Sequence, residues 1–355
     1  MMMMMMMLAS LSSSLSSTSS TTTAMGVSAL SFGVRGSPVS KLGQLCAGSK
    51  KVSDPTASSF DVDTAMAIAS VTSVKNLRPV VPGSSIFFRS ATLDDLTPDD
   101  AERLLDGSAL GSANPLGVVI DLRNSDEIEK GKRSRTEASE AFYAGKGGAV
   151  PVEFLTVPVL GNVDAFWEEA IGSMDPWERW SATLQTVAKG GALDRAAARH
   201  LERGGLPLLY ALTMTIGGKP LATALEACLR ASAEGRPVIF HCQKGKDRTG
   251  ILAMLLQVCL QQKNRNGDGD GDEAIVEAYA MSGPLIGELP NERREGDDES
   301  SSSSIDWSYF RGSPADAMVE TLAWTRRRYG SVEGYLDSIS FGEEKRAQLR
   351  SYCRE

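Results

Sequence analysis

The run His241-Cys242-Gln243-Lys244-Gly245-Lys246-Asp247-Arg248-Thr249-Gly250 constrains this chain more than any other stretch, because its two apolar flanks are of different kinds. Before it, Pro237-Val238-Ile239-Phe240 is β-branched and aromatic and follows Gly235, the pattern of a buried strand. After it, residues 251–260 are apolar nearly all round. A segment of that length makes a buried helix, since a membrane span needs about 20 apolar residues. The run therefore turns the chain from a core strand into a core helix. Such a turn gathers the unpaired N–H groups of a helix start, where the helix dipole favours an anion.

The spacing inside the run specifies the chemistry. Five residues separate Cys242 from Arg248, enough for one loop to close around a tetrahedral dianion. The reactive form of a cysteine is its thiolate, and a helix start beside a guanidinium is the setting that favours it. Arg248 offers a planar fork to two phosphate oxygens, which a lysine does not. Gly245 permits left-handed or closely approached backbone, and Thr249 brings a hydroxyl next to the sulfur. Gln243, Lys244, Gly245, Lys246, Asp247 and Arg248 are the candidate phosphate-binding residues. Lys244 and Lys246 add two charges that suit a substrate with more than one phosphate. His241 ends a buried strand and is read as a support of the loop, not as a base. Asp121 and Arg123 lie at the C-terminal end of another expected strand, where open parallel sheets bind ligands. They either border the pocket or brace it, and Arg89 shares that ambiguity.

With its flanks, HCQKGKDRTG resembles the HCxxGKDRTG loop of the tyrosine/serine protein phosphatase family, within the cysteine-dependent protein tyrosine phosphatase superfamily. Residues 74–78 and 86–91 resemble that family's opening NLR…FRSA blocks. Residues 118–123 with Glu127 resemble its VIDLR…E strand, and residues 273–282 and 329–336 resemble two later helical blocks. The likeness runs in order over about residues 74–352. It implies a protein tyrosine phosphatase-like fold, Cys242 as nucleophile, Asp247 as the acid that protonates the leaving oxygen, a supporting role for His241 and no cofactor. The family includes members with phosphoinositide activity, so phosphoproteins and inositol phosphates both stand as substrates. Asp164 is the alternative acid, because it follows an expected strand in the kind of loop where other tyrosine phosphatases carry a mobile one. Two rival readings are a non-catalytic phospho-ligand binding module and a sulfur-transfer enzyme. The five-residue spacing followed by Thr249 favours phosphate over sulfur.

A net charge of −8 over 355 residues argues against nucleic acid or a bare anionic membrane as the main partner. The five cysteines, at 46, 228, 242, 259 and 353, show neither paired nor zinc-like spacing. Structural disulfides are not expected, which suits a reducing, intracellular compartment and a monomeric enzyme with no metal. No apolar run reaches the ~20 residues of a transmembrane helix. Residues 1–53 contain no Asp or Glu, four basic residues and a Ser/Thr tract. That is the composition of a plastid or mitochondrial transit peptide, or equally of a low-complexity disordered tail, in which case the protein is cytoplasmic. Residues 54–73 read as a linker and 74–352 as the catalytic domain, with acidic loops at 264–272 and 288–304.

Within that domain, Thr97-Pro98-Asp99-Asp100 predicts a capped helix to Asp106. Buried strands are expected at 116–122 and 153–159, with a charged, Gly-rich surface excursion at 124–150 between them. Helices are expected at 164–171, 176–189, 193–203, 219–233, 314–329, 332–338 and 342–352. The alternation predicts an α/β fold with a central, largely parallel sheet flanked by helices. Asn266, Asp268, Asp270, Gly271 and Glu277 fall at calcium-loop positions, but Glu273 stands where such a loop needs an aliphatic residue. The acidic-linker reading is preferred.

Overall fold

The sheet that carries the loop has five strands in the order β1-β2-β5-β3-β4. They are β1 (Arg78–Pro79), β2 (Phe87–Ser90), β3 (Val118–Asp121), β4 (Glu153–Thr156) and β5 (Val238–His241). β1 runs antiparallel to β2, and every other neighbouring pair is parallel. The computed structural model describes residues 68, 70–148, 150–261, 270–287 and 310–353. The expected N-terminal segment 1–53, most of the linker, residues 264–269 and the acidic loop 288–304 lie outside these.

β5 is central, and its register explains the apolar run that precedes the motif. Val238 and Phe240 turn to one face of the sheet and pack with Phe87, Val118 and Ile120; Ile239 turns to the other, with Phe88 and Val119. Strands buried on both faces read as continuous apolar stretches, not as alternating ones. Each such side chain contributes about 1.5–3 kcal/mol by leaving water. The Ile239 face is covered by α1 (Pro98–Leu105), through Leu104 and Leu105, and by Phe142 of α3 (Glu137–Tyr143). Thr97 caps α1 by accepting from the Asp100 N–H at 3.2 Å. The Phe240 face is covered by helices from the C-terminal half. These include α6 (Ala192–Ile216), α7 (Gly218–Ala233), α8 (Asp247–Leu260), α9 (Asp270–Ala280) and α11 (Ala315–Tyr329).

The remaining helices are α2 (Ser125–Lys132), α4 (Val163–Gly172), α5 (Pro176–Lys189), α10 (Ser282–Ile286), α12 (Val332–Ser338) and α13 (Glu343–Tyr352). Among the described residues no helix is long and apolar enough to cross a membrane.

Some expectations need correction. The strand expected to be buried at 153–159 is β4, which ends at Thr156 and is half-exposed because it lies at the edge of the sheet. The segment 124–150 is no mere surface excursion, since it folds into α2 and α3 and delivers side chains to the loop. Its high charge hides helices whose few inward residues suffice because they are short. The helix expected to end at 203 continues as α6 to Ile216, through a kink where Gly205 takes φ 57° and ψ −151°. Gly204-Gly205 and Pro207 read as punctuation, yet they only bend the path. From Asp270 the chain is already helical, so Glu277 lies in mid-helix and not at the end of a calcium loop.

Candidate active site

All four parallel strands end on the same side of the sheet, at Ser90, His241, Asp121 and Thr156. The chain leaves β5 at Cys242 and enters α8 at Asp247, so the loop lies beyond the carboxyl ends of the strands, beside β2 and β3. Cys242 is 1% exposed.

The loop is shaped by what grips its carbonyls. The Thr92 N–H donates to Gln243 O at 3.3 Å. The Asn76 side-chain amide donates to Lys244 O at 3.2 Å and to Gly245 O at 2.9 Å, and Arg89 Nη2 donates to Gly245 O at 2.8 Å. In a trans peptide the N–H points opposite its C=O. Drawing three successive carbonyls outward therefore turns the following amides toward the interior of the loop, a concavity for an anion.

Gly245 has φ 67°, and a Cβ there would stand 2.2 Å from the Ser90 carbonyl oxygen. Neither the backbone angle nor the space admits a side chain. Gly245→Ala is therefore expected to lower stability by about 1–3 kcal/mol, read as the midpoint shift in denaturant. An unshifted midpoint would mean that the loop does not press against β2.

Arg248 is buried and held by Glu127. Its Nη1 donates to Glu127 Oε2 at 2.6 Å and to Leu122 O at 3.3 Å, and its Nη2 donates to Glu127 Oε1 at 2.8 Å. A guanidinium has five N–H donors. The Nε–H and the second Nη2–H lie parallel along the edge that these bonds leave over, the geometry for two oxygens of one phosphate. Burial disfavours the charge, but Glu127, and then Cys242, hold the guanidinium above its ordinary range. Glu127 is itself fixed, accepting from the Asn124 N–H at 3.0 Å at the start of α2. Beside Arg248 on α8, the Thr249 hydroxyl is fully buried with no hydrogen-bond partner among the described residues. That is a costly state which a ligand or the neighbouring sulfur would relieve.

Asp247, the first residue of α8, is half-buried, and its Oδ1 accepts from Tyr210 Oη at 2.7 Å. Asp164, the alternative acid, is exposed in the first turn of α4. Lys246 does not face the loop interior. Its ammonium donates to Phe310 O at 2.8 Å and Gly312 O at 2.7 Å and forms an ion pair with Asp247 Oδ1 at 3.5 Å. Its side chain anchors the loop to the segment before α11 and leaves any phosphate contact to its backbone. Gln243 is exposed and Lys244 partly so.

Asp121 and Arg123 brace the floor. Arg123 is fully buried; its Nε donates to Asp121 Oδ1 at 2.9 Å, its Nη1 to Thr92 Oγ1 at 2.9 Å, and it pairs closely with Asp94. Arg135 of the α2–α3 connection adds a bond to Asp94 at 2.8 Å and stacks over the Tyr143 ring at 4.1 Å. Burial works against the Asp94 carboxylate, yet hydrogen bonds from Arg123 and Thr92 hold it at about 2. For Asp121, burial is likewise outweighed by His241 and Arg123, so its carboxyl stays below the usual range.

His241 closes this network. Its Nε2 meets Tyr143 Oη at 3.2 Å and its Nδ1 lies 3.4 Å from Cys242 O. Burial pushes the imidazole below its ordinary value, against the pull of Asp121. The neutral tautomer that satisfies both contacts carries its proton on Nδ1. On the opposite flank Arg78 and Arg89 share the Ser282 hydroxyl, at 2.9 and 3.2 Å. Burial, and then the like charge of Arg89, lower Arg78 to about 8.

Reading the residues alone missed Glu127, Asn76, Tyr210 and Tyr279 as parts of the site. Glu127 carried two signals, its place in the VIDLR…E block and the Asn124-x-x-Glu127 spacing of a reciprocal helix cap. Asn76 and Tyr279 lay within the resembling blocks 74–78 and 273–282 without a sign of their role, and Tyr210 carried none, because these roles depend on contacts across 168, 69 and 37 residues of chain.

The sequence pattern of the tyrosine phosphatase family matches residues 78–355. A tyrosine-protein phosphatase of Nostoc commune is 30% identical over 133 residues, which cover 34% of this chain and 40% of that protein. The match thus spans less than half of the relative's length.

Proposed function

Because the chain belongs to the tyrosine phosphatase family, whose pattern covers residues 78–355, we propose that it hydrolyses phosphotyrosine esters through a cysteinyl-phosphate intermediate. The Cys242 sulfur attacks phosphorus in line and the bond to the leaving oxygen breaks as Asp247 gives that oxygen its proton. The free edge of Arg248 and the inward amides of the loop stabilise the equatorial oxygens. Water then attacks phosphorus as Asp247 takes its proton, the S–P bond breaks to return the Cys242 thiolate, and inorganic phosphate leaves.

The observation that carries this reading is the Glu127–Arg248 fork at 2.6 and 2.8 Å. It fixes the plane of a guanidinium in the first turn of the helix that follows the Cys242 loop, and leaves its Nε edge without a partner among the described residues. Of the two candidate acids, Asp247 is supported by its bond to Tyr210 and its place on the loop. With the Lys246 ammonium held by two carbonyls, the loop presents less cationic side chain to an inositol polyphosphate than its sequence promises. Phosphotyrosine is the substrate class we carry forward.

Phosphate release from phosphotyrosyl peptides, phosphoseryl peptides and phosphoinositide micelles tests this. Fastest release is expected from phosphotyrosine, inhibited competitively by vanadate. Preference for the lipid would overturn the substrate class while leaving the chemistry. No release from any of them would favour a binding module. A loss confined to Asp164→Asn, with Asp247→Asn active, would move the acid role to α4.

A further inference from the structure

Asp247 has two carboxyl oxygens, and the fold treats them differently. Oδ1 accepts from Tyr210 Oη at 2.7 Å and has the Lys246 ammonium 3.5 Å away; Oδ2 receives neither. Tyr210 Oη is in turn 2.7 Å from Tyr279 Oη. A phenol has one hydroxyl hydrogen. With that of Tyr210 directed to Asp247, Tyr279 must be the donor in the pair. The hydrogen bonds therefore run one way, from Tyr279 on α9, through Tyr210 on α6, to Oδ1 at the start of α8. The two rings meet edge to face with centroids 5.9 Å apart, and both are buried in the main core.

We propose that Tyr210 and Tyr279 are positioning residues for the acid step: their donor chain occupies Oδ1 of Asp247, so that the proton delivered to the leaving oxygen is carried on Oδ2. This rests on Asp247 being the acid, as read above. A free carboxyl carries its proton on either oxygen and rotates about its Cβ–Cγ bond, so many of its arrangements present no proton to the substrate. One donated hydrogen bond and a cation beside the same oxygen disfavour those arrangements, which is orientation fixed before the reaction. Burial raises both phenols above their ordinary range, with Asp247 raising them further. Both remain hydroxyl donors through the neutral range.

The test is kinetic, on the full chain, with two aryl esters that differ in how much their leaving oxygen needs a proton. These are phenyl phosphate and 4-nitrophenyl phosphate. Tyr210→Phe keeps the ring and its packing and removes only the donor. It is expected to lower kcat/KM, which reports only the first phosphoryl transfer, about 10-fold on phenyl phosphate and by no more than about 2-fold on 4-nitrophenyl phosphate, within what a general acid contributes. Tyr279→Phe, one bond further away, is expected to act in the same direction by less. The vanadate inhibition constant should stay as in the parent, which reports an intact loop.

In an Asp247→Asn background, Tyr210→Phe should add no further loss on phenyl phosphate. Equal losses on both esters, or losses that add in the double variant, would overturn the proposal and leave the tyrosines as packing. If Asp247→Asn itself does not change the ratio between the esters, the acid assignment fails, and the positioning role with it.

Discussion

Cys242→Ser is expected to abolish turnover and to leave the fold and its anion site standing. Oxygen for sulfur is a small change of volume at a side chain that is 1% exposed. Nothing in the loop's scaffold depends on the sulfur. The carbonyls of Gln243, Lys244 and Gly245 stay held by Thr92, Asn76 and Arg89, and Arg248 stays in its fork with Glu127. The chemistry, however, requires an ionised nucleophile, and an alcohol ionises far less readily than a thiol in the same surroundings. Loss of a nucleophile in a preorganised site costs on the order of 10⁴–10⁶ in kcat. The serine variant should therefore bind a phosphotyrosyl peptide without consuming it, measured by calorimetry beside a phosphate-release assay. Turnover by the serine variant comparable with the parent would remove the covalent intermediate from the mechanism.

Glu127→Gln should reduce kcat/KM by about 100-fold, the scale at which a misplaced catalytic group acts, although Glu127 touches no substrate. The carboxylate fixes the plane of the guanidinium with bonds at 2.6 and 2.8 Å, and both side chains are nearly inaccessible to solvent. An amide keeps the shape but offers one acceptor where the fork needs two, and it leaves a buried cation without its counter-charge. Breaking such a pair costs about 3–5 kcal/mol of stability. A lower melting temperature should therefore accompany the kinetic loss. Saturating vanadate should restore part of that stability, because an oxyanion returns negative charge to Arg248. Parent-like kcat/KM in the glutamine variant would show that Arg248 is aimed by the loop alone.

The two variants together show why part of this site was legible early. Cys242, Gly245, Arg248 and Thr249 sit within one continuous turn whose length is set by local geometry, so neighbours in sequence are neighbours in space. The strand before and the helix after were equally readable, because a fully buried element has to be apolar throughout. The same logic placed β3 to within a few residues, whereas α5 was marked by Pro176 at its start and Gly190-Gly191 after its end.

It failed where charge or glycine disguised an element. α2 looked like a solvated excursion, although its cap residue Glu127 is what grips Arg248. The second half of α6 was hidden behind Gly204-Gly205 and Pro207, although it carries Tyr210 to Asp247. Lys246 read as a phosphate ligand because it lies in the loop. Its long side chain instead reaches two carbonyls more than 60 residues away.

The order of residues by itself determined that a thiol and a guanidinium close one loop between a core strand and a core helix, because five intervening residues admit little else. Which groups aim that guanidinium, select one oxygen of Asp247 and draw the loop carbonyls outward was decided only in the folded chain. Those groups come from α2, α6, α9, β2 and the residues after it, and the segment before β1, and a hydrogen bond between groups far apart in sequence is set by packing, which no local pattern encodes.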